Sequence, residues 1–447
     1  MTDFDSSSPL KGLYADSIWP ISDGGGPRRQ KAARTPGFNI ESGERLAITR
    51  RALNDERWPV GVFWHGDKLL LMGSCKPWQP KSYGWVEFID PITLESLVRS
   101  EPLECGGHNW CGGAAALANG DIYTVAGSFM HRLCADSLKV KAKLPLPIDN
   151  AHNGFLVLSD GNMITRDMQS DPNKRSWFTV ITPDLAIVTQ FQFVSNSVGR
   201  FSIDQTSDGD FIYATGPDSI HRLIYRNGEL NLDEEWKASY KIAGEEQAFA
   251  WDSTIGDDSV WFHDMGESHG SRNMMSTYPV GSDCSYNIYD SMKMIHSAPQ
   301  RVFRVSIQDP TDIDVLVPFG DAYGCVGGPP LYAQDRHILV AYDEHNGKTR
   351  AWRYHGPGNF EDLWERNYKN SNQMLYYPDT GELLMDDKSN RFDVILVDIE
   401  TGEEKGRATT GAVASAAMLY SPGQGRDAYC ATGILGDVIR VYVDKKE

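Results

Sequence analysis

The feature that most constrains the fold of this chain is a β-hairpin pattern that recurs eight times. Each copy is an alternating segment with β-branched or aromatic residues, an Asp/Gly turn and a second β-rich segment, as in VFWHGDKLLLMG (62–73) and GFLVLSDGNMITRD (154–167). Such alternation is typical of half-buried strands, and Gly or Asp at the tip supplies the positive φ of a tight hairpin. The other six copies span 114–127, 201–216, 249–264, 330–343, 374–387 and 417–433.

The spacing of these hairpins indicates the architecture. Successive turns lie about 40–55 residues apart, except between the fifth and sixth copies, and this is the period of a four-stranded propeller blade. We therefore predict an all-β fold, a single eight-bladed β-propeller, with seven blades as the alternative. The chain ends soon after VIRVYVD (438–444), which leaves the last blade without an outer strand, and ERLAITRRAL (44–53) has no hairpin partner. We expect this N-terminal strand to complete blade eight and close the ring.

Two segments lie outside the repeat. Residues 1–40 are polar and rich in Gly and Pro, and we predict a flexible N-terminal tail outside the ring, followed by the propeller at 41–447. An insertion at about 265–300, between the fifth and sixth hairpins, is rich in Met, Tyr, His and Ser. Long loops in compact domains are more often functional than idle, so we predict a lid over the channel mouth. The alternatives are an interface or a covering for the side of blade five.

Composition excludes several partners. The net charge of −18 disfavours nucleic acids and anionic membranes, which would repel the chain. The seven cysteines are an odd number without a CxxC pair, which favours reduced thiols, and the acidic N-terminus lacks the apolar core of a secretory signal. We expect a cytoplasmic protein. Because a propeller closes its own sheets, we expect a monomer.

One repeat carries a family resemblance. The segment DVILVDIETGEEKG (393–406), with Asp398, Thr401 and Gly402 in its turn, resembles the repeats of quinoprotein-like propellers. The resemblance extends over most of the chain at the level of repeat geometry, and it implies the fold rather than an activity. Quinoprotein alcohol dehydrogenases carry repeated Trp-docking motifs and often a vicinal cysteine pair. Because this chain has neither, we expect no bound PQQ.

Candidate catalytic residues stand just ahead of the innermost strands, where the blades of a propeller meet around the central channel. His108 and His152 occupy comparable places in adjacent blades, so we expect them to converge. With Glu246 they would form an acid/base set or a site for a divalent metal such as calcium, with Asn153 as a further ligand. In the alternative interpretation, these side chains cap strands and turns.

Candidate substrate-binding residues surround the same rim. Arg200 would hold a carboxylate or phosphate of the substrate, and the further candidates are Trp58, Trp110, Trp251, His263 and Asn372. No nucleophile elbow, phosphate loop or dinucleotide fingerprint is present, which disfavours serine-triad and nucleotide-dependent mechanisms. We predict an enzyme acting on a small, partly apolar organic molecule at the channel rim, a lactonase-like hydrolase or a lyase. The alternative is a non-catalytic propeller that binds a protein partner or a ligand.

Overall fold

A computed structural model describes most of the chain, and every regular element in the described part is a β-strand. The described residues are 12–22, 31–32, 35–53, 57–76, 79–169, 171, 173–241, 250–264, 299–320, 328–344, 346–370, 373–389, 391–412, 419–432 and 436–445. This part of the chain holds no apolar helix of bilayer-spanning length. Its five cysteines are free thiols: Cys75, Cys105, Cys111, Cys134 and Cys430.

The first four blades each consist of four consecutive antiparallel strands. Blade one contains β2 (Arg57–His65), β3 (Lys68–Cys75), β4 (Gly84–Ile89) and β5 (Ser96–Arg99). Blade two contains β6 (Cys111–Ala116), β7 (Ile122–Ala126), β8 (Phe129–Leu133) and β9 (Val140–Pro145). Blade three contains β10 (His152–Val157), β11 (Met163–Asp167), β12 (Trp177–Ile181) and β13 (Ile187–Gln192). Blade four contains β14 (Ser202–Thr206), β15 (Gly209–Thr215), β16 (Ser219–Arg226) and β17 (Glu229–Ser239).

The next three blades repeat this order, and the eighth differs in one strand. Blade five contains β18 (Ala250–Gly256), β19 (Ser259–Asp264), β20 (Val302–Ser306) and β21 (Ile313–Leu316). Blade six contains β22 (Leu331–Ala333), β23 (Ile338–Asp343), β24 (Lys348–Tyr354) and β25 (Phe360–Arg366). Blade seven contains β26 (Leu375–Tyr377), β27 (Glu382–Asp387), β28 (Asp393–Asp398) and β29 (Glu404–Thr409). Blade eight contains β30 (Leu419–Pro422), β31 (Asp427–Ala431), β32 (Asp437–Lys445) and, outermost, β1 (Glu44–Ala52).

The predicted eight-bladed propeller and its closure are confirmed. Strand β1 pairs with β32 in an unbroken antiparallel register from Glu44 opposite Lys445 to Ala52 opposite Asp437. The eight hairpins of the sequence pattern form the two inner strands of the eight blades. Closure removes the open sheet edge that a linear array of blades would expose.

Burial follows the position of a strand within its blade. Every residue of β7 and β23, both second strands, is buried, whereas all four residues of the outermost strand β5 are exposed. The inner strands are packed on both faces by the neighbouring blades, so most of their residues are apolar, and the polar ones, such as Thr124 in β7 and Asp343 in β23, are buried as well. Outermost strands such as β9 alternate between half-buried and exposed residues because only one face is covered.

The N-terminal segment differs from the sequence-based expectation in its described residues. Within the predicted flexible tail 1–40, Tyr14, Trp19 and Ile21 are buried, and Phe38 is fully buried. The backbone N–H groups of Phe38 and Asn39 donate to the buried carboxylate of Glu382 in blade seven, at 2.7 and 2.8 Å. These parts of the segment therefore pack on the propeller and are not a free tail. The predicted lid falls almost wholly on 265–298, which lie outside the described residues.

Candidate functional site

All eight innermost strands begin on one face of the ring, which we call the site face; the opposite face is the far face. Four of these strands carry a β-bulge near their beginning: β2 at Pro59/Gly61, β6 at Cys111/Gly113, β10 at His152/Phe155 and β18 at Ala250/Ser253. A bulge leaves one residue unpaired and re-aims its side chain, and bulges are common beside active sites. The bulges therefore set the directions of the side chains around the channel mouth.

Two tryptophans and an amide link the first four blades at this mouth. The rings of Trp58 and Trp110 meet edge to face, with centroids 5.4 Å apart. Trp110 donates its indole N–H to the Asn153 side-chain oxygen at 3.2 Å, and Asn153 donates its amide to the Val198 carbonyl at 2.9 Å. Trp58 and Asn153 are buried, whereas Trp110 is half-buried. Three of the candidate residues thus contact one another in a chain, and the half-buried Trp110 indole leaves an apolar surface at the mouth.

Arg200 lies beside this cluster and spans several blades. Its guanidinium donates to the carbonyl of Gly112 in blade two at 3.4 Å and lies 3.7 Å from the carboxylate of Asp252 in blade five. The Arg200 backbone N–H also donates to Asp252, at 2.5 Å. Only glycine fits at position 112, because a Cβ there would lie 2.0 Å from the His152 carbonyl oxygen. Arg200 is thus a buried cation paired with a buried carboxylate.

Asp252 is a site residue that sequence reasoning missed. It is buried in the bulge of β18, directly after Trp251. The sequence-based candidate was Trp251, which lies in β18 but whose side chain is outside the description. The available signal was the one acidic residue in the innermost-strand segment FAWDSTI. An acidic group on a channel-facing strand requires a cation nearby, and Arg200 fulfils that requirement.

His152 is placed at the start of β10 but is closed to solvent. Its side chain is 0% exposed, and its Nδ1 lies 3.0 Å from the Asn150 carbonyl. Because a carbonyl only accepts, Nδ1 carries the proton and Nε2 is left with a lone pair; among the described residues Nε2 has no hydrogen-bond partner. Burial lowers the pKa of His152 to about 4, with smaller contributions from the charges of His108 and Arg166. The side chain is therefore neutral at pH 7.

His108 is the accessible histidine of the predicted pair. Its side chain is 32% exposed, and Nε2 lies 3.0 Å from the carboxylate of Asp149. The hydrogen bond from His108 and a second one from the Ser128 hydroxyl, at 3.1 Å, lower the pKa of Asp149. His108 and His152 are close enough to interact electrostatically, but His108 bonds to Asp149 and not to His152. The structure thus provides a solvent-accessible histidine–carboxylate pair on the site face.

The remaining predicted site residues are buried or outside the description. His263, at the end of β19, is fully buried; its Nδ1 faces the Gly328 carbonyl at 3.2 Å and its ring packs edge to face on Tyr342. Glu246 and Asn372 lie outside the described residues. Within the described ranges, no three His, Cys, Asp or Glu side chains lie together so that they could hold a metal ion. The proposed metal site with Glu246 stays a prediction.

Carboxylates at the ends of the second strands accept hydrogen bonds from backbone N–H groups. Asp167 accepts from the Trp177 backbone N–H at 2.5 Å, and Asp264 accepts from the Arg301 backbone N–H at 2.9 Å. Asp387 accepts from the Lys369 backbone N–H at 3.1 Å. These bonds fix the connections on the site face.

Comparisons with known proteins agree with this architecture. No protein-family model matches the chain. No curated protein matches its sequence. The quinohemoprotein alcohol dehydrogenase ADHIIG from Pseudomonas putida HK5 superposes with a TM-score of 0.63 at 10% identity, covering 100% of this chain and 83% of that one. The shared β-propeller fold agrees with the resemblance to quinoprotein-like propellers in repeat geometry.

Two further solved structures have the same fold. A europium-containing methanol dehydrogenase has a TM-score of 0.61 at 9% identity over 97% of this chain and 99% of its own. BamB from Moraxella catarrhalis has a TM-score of 0.54 at 11% identity over 89% of this chain and 99% of its own. At these identities the likeness shows the fold alone.

Proposed function

We propose that this chain is an enzyme that acts on a small, partly apolar organic molecule at the site-face mouth of the channel, as a lactonase-like hydrolase or a lyase. The observation that carries the proposal is the His108–Asp149 pair, with 3.0 Å between Nε2 and the carboxylate oxygen. It lies two residues from the half-buried Trp110, whose backbone N–H donates to the His108 carbonyl at 2.7 Å. A proton acceptor and an apolar contact surface are therefore adjacent.

The chemistry follows from the hydrogen bond. A neutral His108 that donates Nε2–H to the Asp149 carboxylate has its Nδ1 lone pair available to take a proton from water or from a substrate carbon. Asp149 would fix the tautomer and stabilise the imidazolium that forms, as the carboxylate of a catalytic triad does. The open part of the Trp110 indole would bind the apolar part of the substrate, and the buried Trp58 ring would hold that indole in place. The buried Arg200–Asp252 pair would hold the first strands of blades two, four and five in place.

The test is turnover on a panel of lactones, esters and substrates for β-elimination. We expect His108→Ala to lower kcat by about 10²–10⁴-fold, the usual contribution of a general base. Trp110→Ala should mainly raise KM. The matched control is His355→Ala, because His355 forms a similar exposed pair with Glu361, 2.9 Å apart, in the β24–β25 hairpin on the far face. Full turnover by both His108→Ala and Asp149→Asn would contradict the assignment.

A second candidate is a propeller that binds the same kind of molecule without reaction. It is favoured by the state of the other polar groups at the mouth: His152 is buried and neutral, and Arg200 is paired with Asp252. A compound of the panel that raises the melting temperature without being consumed, with the rise lost in Trp110→Ala, would support this candidate over the enzyme.

A further inference from the structure

The segment 13–22, which we call the leader, lies along the channel-side edge of blade two. Ser22 N–H donates to the Ala114 carbonyl and Ala15 N–H to the Ala116 carbonyl, each at 2.9 Å. In return, Ala116 N–H donates to the Pro20 carbonyl at 2.8 Å and Ala118 N–H to the Leu13 carbonyl at 3.0 Å. Strand β6 thus receives hydrogen bonds on the edge that would otherwise face the channel, which is how a peptide adds to a sheet.

The leader also contacts the neighbouring blades. In blade one, Trp64 N–H donates to the Trp19 carbonyl at 2.8 Å. In blade three, Val157 N–H donates to the Tyr14 hydroxyl at 3.2 Å. Ten residues further along the chain, Ala32 N–H donates to the carbonyl of Tyr376 in blade seven at 2.8 Å. The described part of the N-terminal segment therefore contacts blades one to three through the leader and blade seven through Ala32.

Small residues on the innermost strands make room for the leader. A Cβ at Gly61 would lie 2.9 Å from the Ser22 Cβ, closer than side chains approach. The Ser22 hydroxyl accepts from the Ala114 N–H at 3.0 Å, and Ala114, Ala115 and Ala116 are all fully buried. In the run GGAAA, the alanines pair with the leader, whereas Gly112 and Gly113 make room for strand β10 of blade three.

The position of the leader along the channel has a functional consequence. Strand β6 begins at Cys111 on the site face, and the leader begins to pair three residues later, at Ala114. At about 3.3 Å per residue, this is about 10 Å below the mouth. We infer that the leader is an intramolecular plug, added as a β-strand to blade two, that closes the channel toward the far face. Resting on the proposed function, this makes the candidate site a blind pocket with one mouth, through which substrate enters and product leaves.

Hydrogen exchange of the full chain tests the plug without a substrate, so its outcome does not depend on the proposed function. We expect Gly61→Ala and Trp19→Ala to speed exchange at the Ala114, Ala116 and Ala118 amides by about tenfold or more, while the β7 amides keep their protection. The control is Gly425→Ala, whose new Cβ would have its nearest neighbour at 3.6 Å. Unchanged exchange at those three amides in both variants would overturn the inference.

Proteolytic cleavage supplies a second arm in case the variants disturb the fold. A protease site inserted within Gly24–Gly26 allows the leader to be cut after folding, and the cut fragment should co-elute with the ring. The same fragment carrying Trp19→Ala should separate from it. If the unmodified fragment leaves the ring at once while the β7 amides stay protected, the leader is not a plug.

Discussion

In the part of the chain that the structure describes, four histidines are neutral, buried rings. Burial lowers the pKa of His131, His152, His221 and His263 to about 4 in each case. His221, for example, packs edge to face on Phe193 with ring centroids 5.5 Å apart, as a second aromatic ring would. A histidine of this kind carries a pH dependence, because it must stay uncharged for the native packing to persist.

The sign of that dependence gives a prediction for His221. Its pKa is 6.5 in the unfolded chain and about 4 in the folded one, so between these values only the unfolded chain binds the proton. The contribution to stability is therefore complete above pH 6.5 and is lost as the pH falls toward 4, by up to about 3 kcal/mol. His221→Phe should lose less stability than the parent between pH 7 and pH 4.5, measured by urea unfolding. Equal losses would contradict this account.

At the scale of the elements, a buried ion pair at the end of strand β19 joins the strands on either side of the insertion. Asp264 ends β19 and binds Arg301 through the backbone N–H and the guanidinium Nε, at 2.9 and 2.8 Å, with both side chains buried. These bonds join β19 to the chain that returns at β20 after the insertion. Because both side chains are buried, loss of the Asp264 charge would leave the Arg301 charge without a partner away from water.

We predict that Asp264→Asn lowers the free energy of unfolding by about 3–5 kcal/mol, because it leaves the buried Arg301 charge unpaired. The same substitution at Asp184, which pairs with Arg132 but is 88% exposed, should change it by less than about 1 kcal/mol. Chemical denaturation of the two variants and the parent measures both. Similar losses at the two positions would contradict the explanation.

The sequence was sufficient to predict the hairpins but not the bulges. The turn at Asp160-Gly161 can be predicted from these two residues alone, because the positive φ of 85° at Gly161 favours glycine. The bulges of β10 and β18 depend on the register between paired strands, which a single sequence does not show. For this reason His152 was expected at the rim as an open base, although it is buried, and Asp252 was missed.

For the whole molecule, closure by β1 predicts how truncation acts. Removing 437–447 deletes β32, so that β1 loses its only paired neighbour in the sheet and blade eight keeps two strands. We expect this variant to lack a cooperative unfolding transition where the parent is still folded, as followed by circular dichroism. Removal of 446–447 alone is the control and should leave the transition in place. A truncated chain that melts like the parent would show that the ring does not depend on this closure.

The period of the hairpins and the unpaired strand 44–53 predicted this ring correctly, whereas the leader was predicted as a tail. Its partners lie far along the chain, from 45 residues for the Trp19–Trp64 bond to 143 residues for the Tyr14–Val157 bond, and most of them are backbone groups, so no complementary pattern shows in the sequence. The apolar residues Tyr14, Trp19 and Ile21 within a polar segment were the signal that was available. Several apolar side chains within a few residues of an otherwise polar tail indicate that this stretch packs on the rest of the protein.

The pairing of the first strand with the last also orders events during synthesis. The backbone N–H of Phe38 bonds to Glu382, which is synthesised 344 residues later, and Glu44 pairs with Lys445. At about 5–20 residues per second, a ribosome leaves the N-terminal strand without its partner for tens of seconds while seven blades emerge. During that interval the unpaired edge of a nascent strand is open to other chains, and a chaperone that covers residues 38–52 would raise the yield of closed rings.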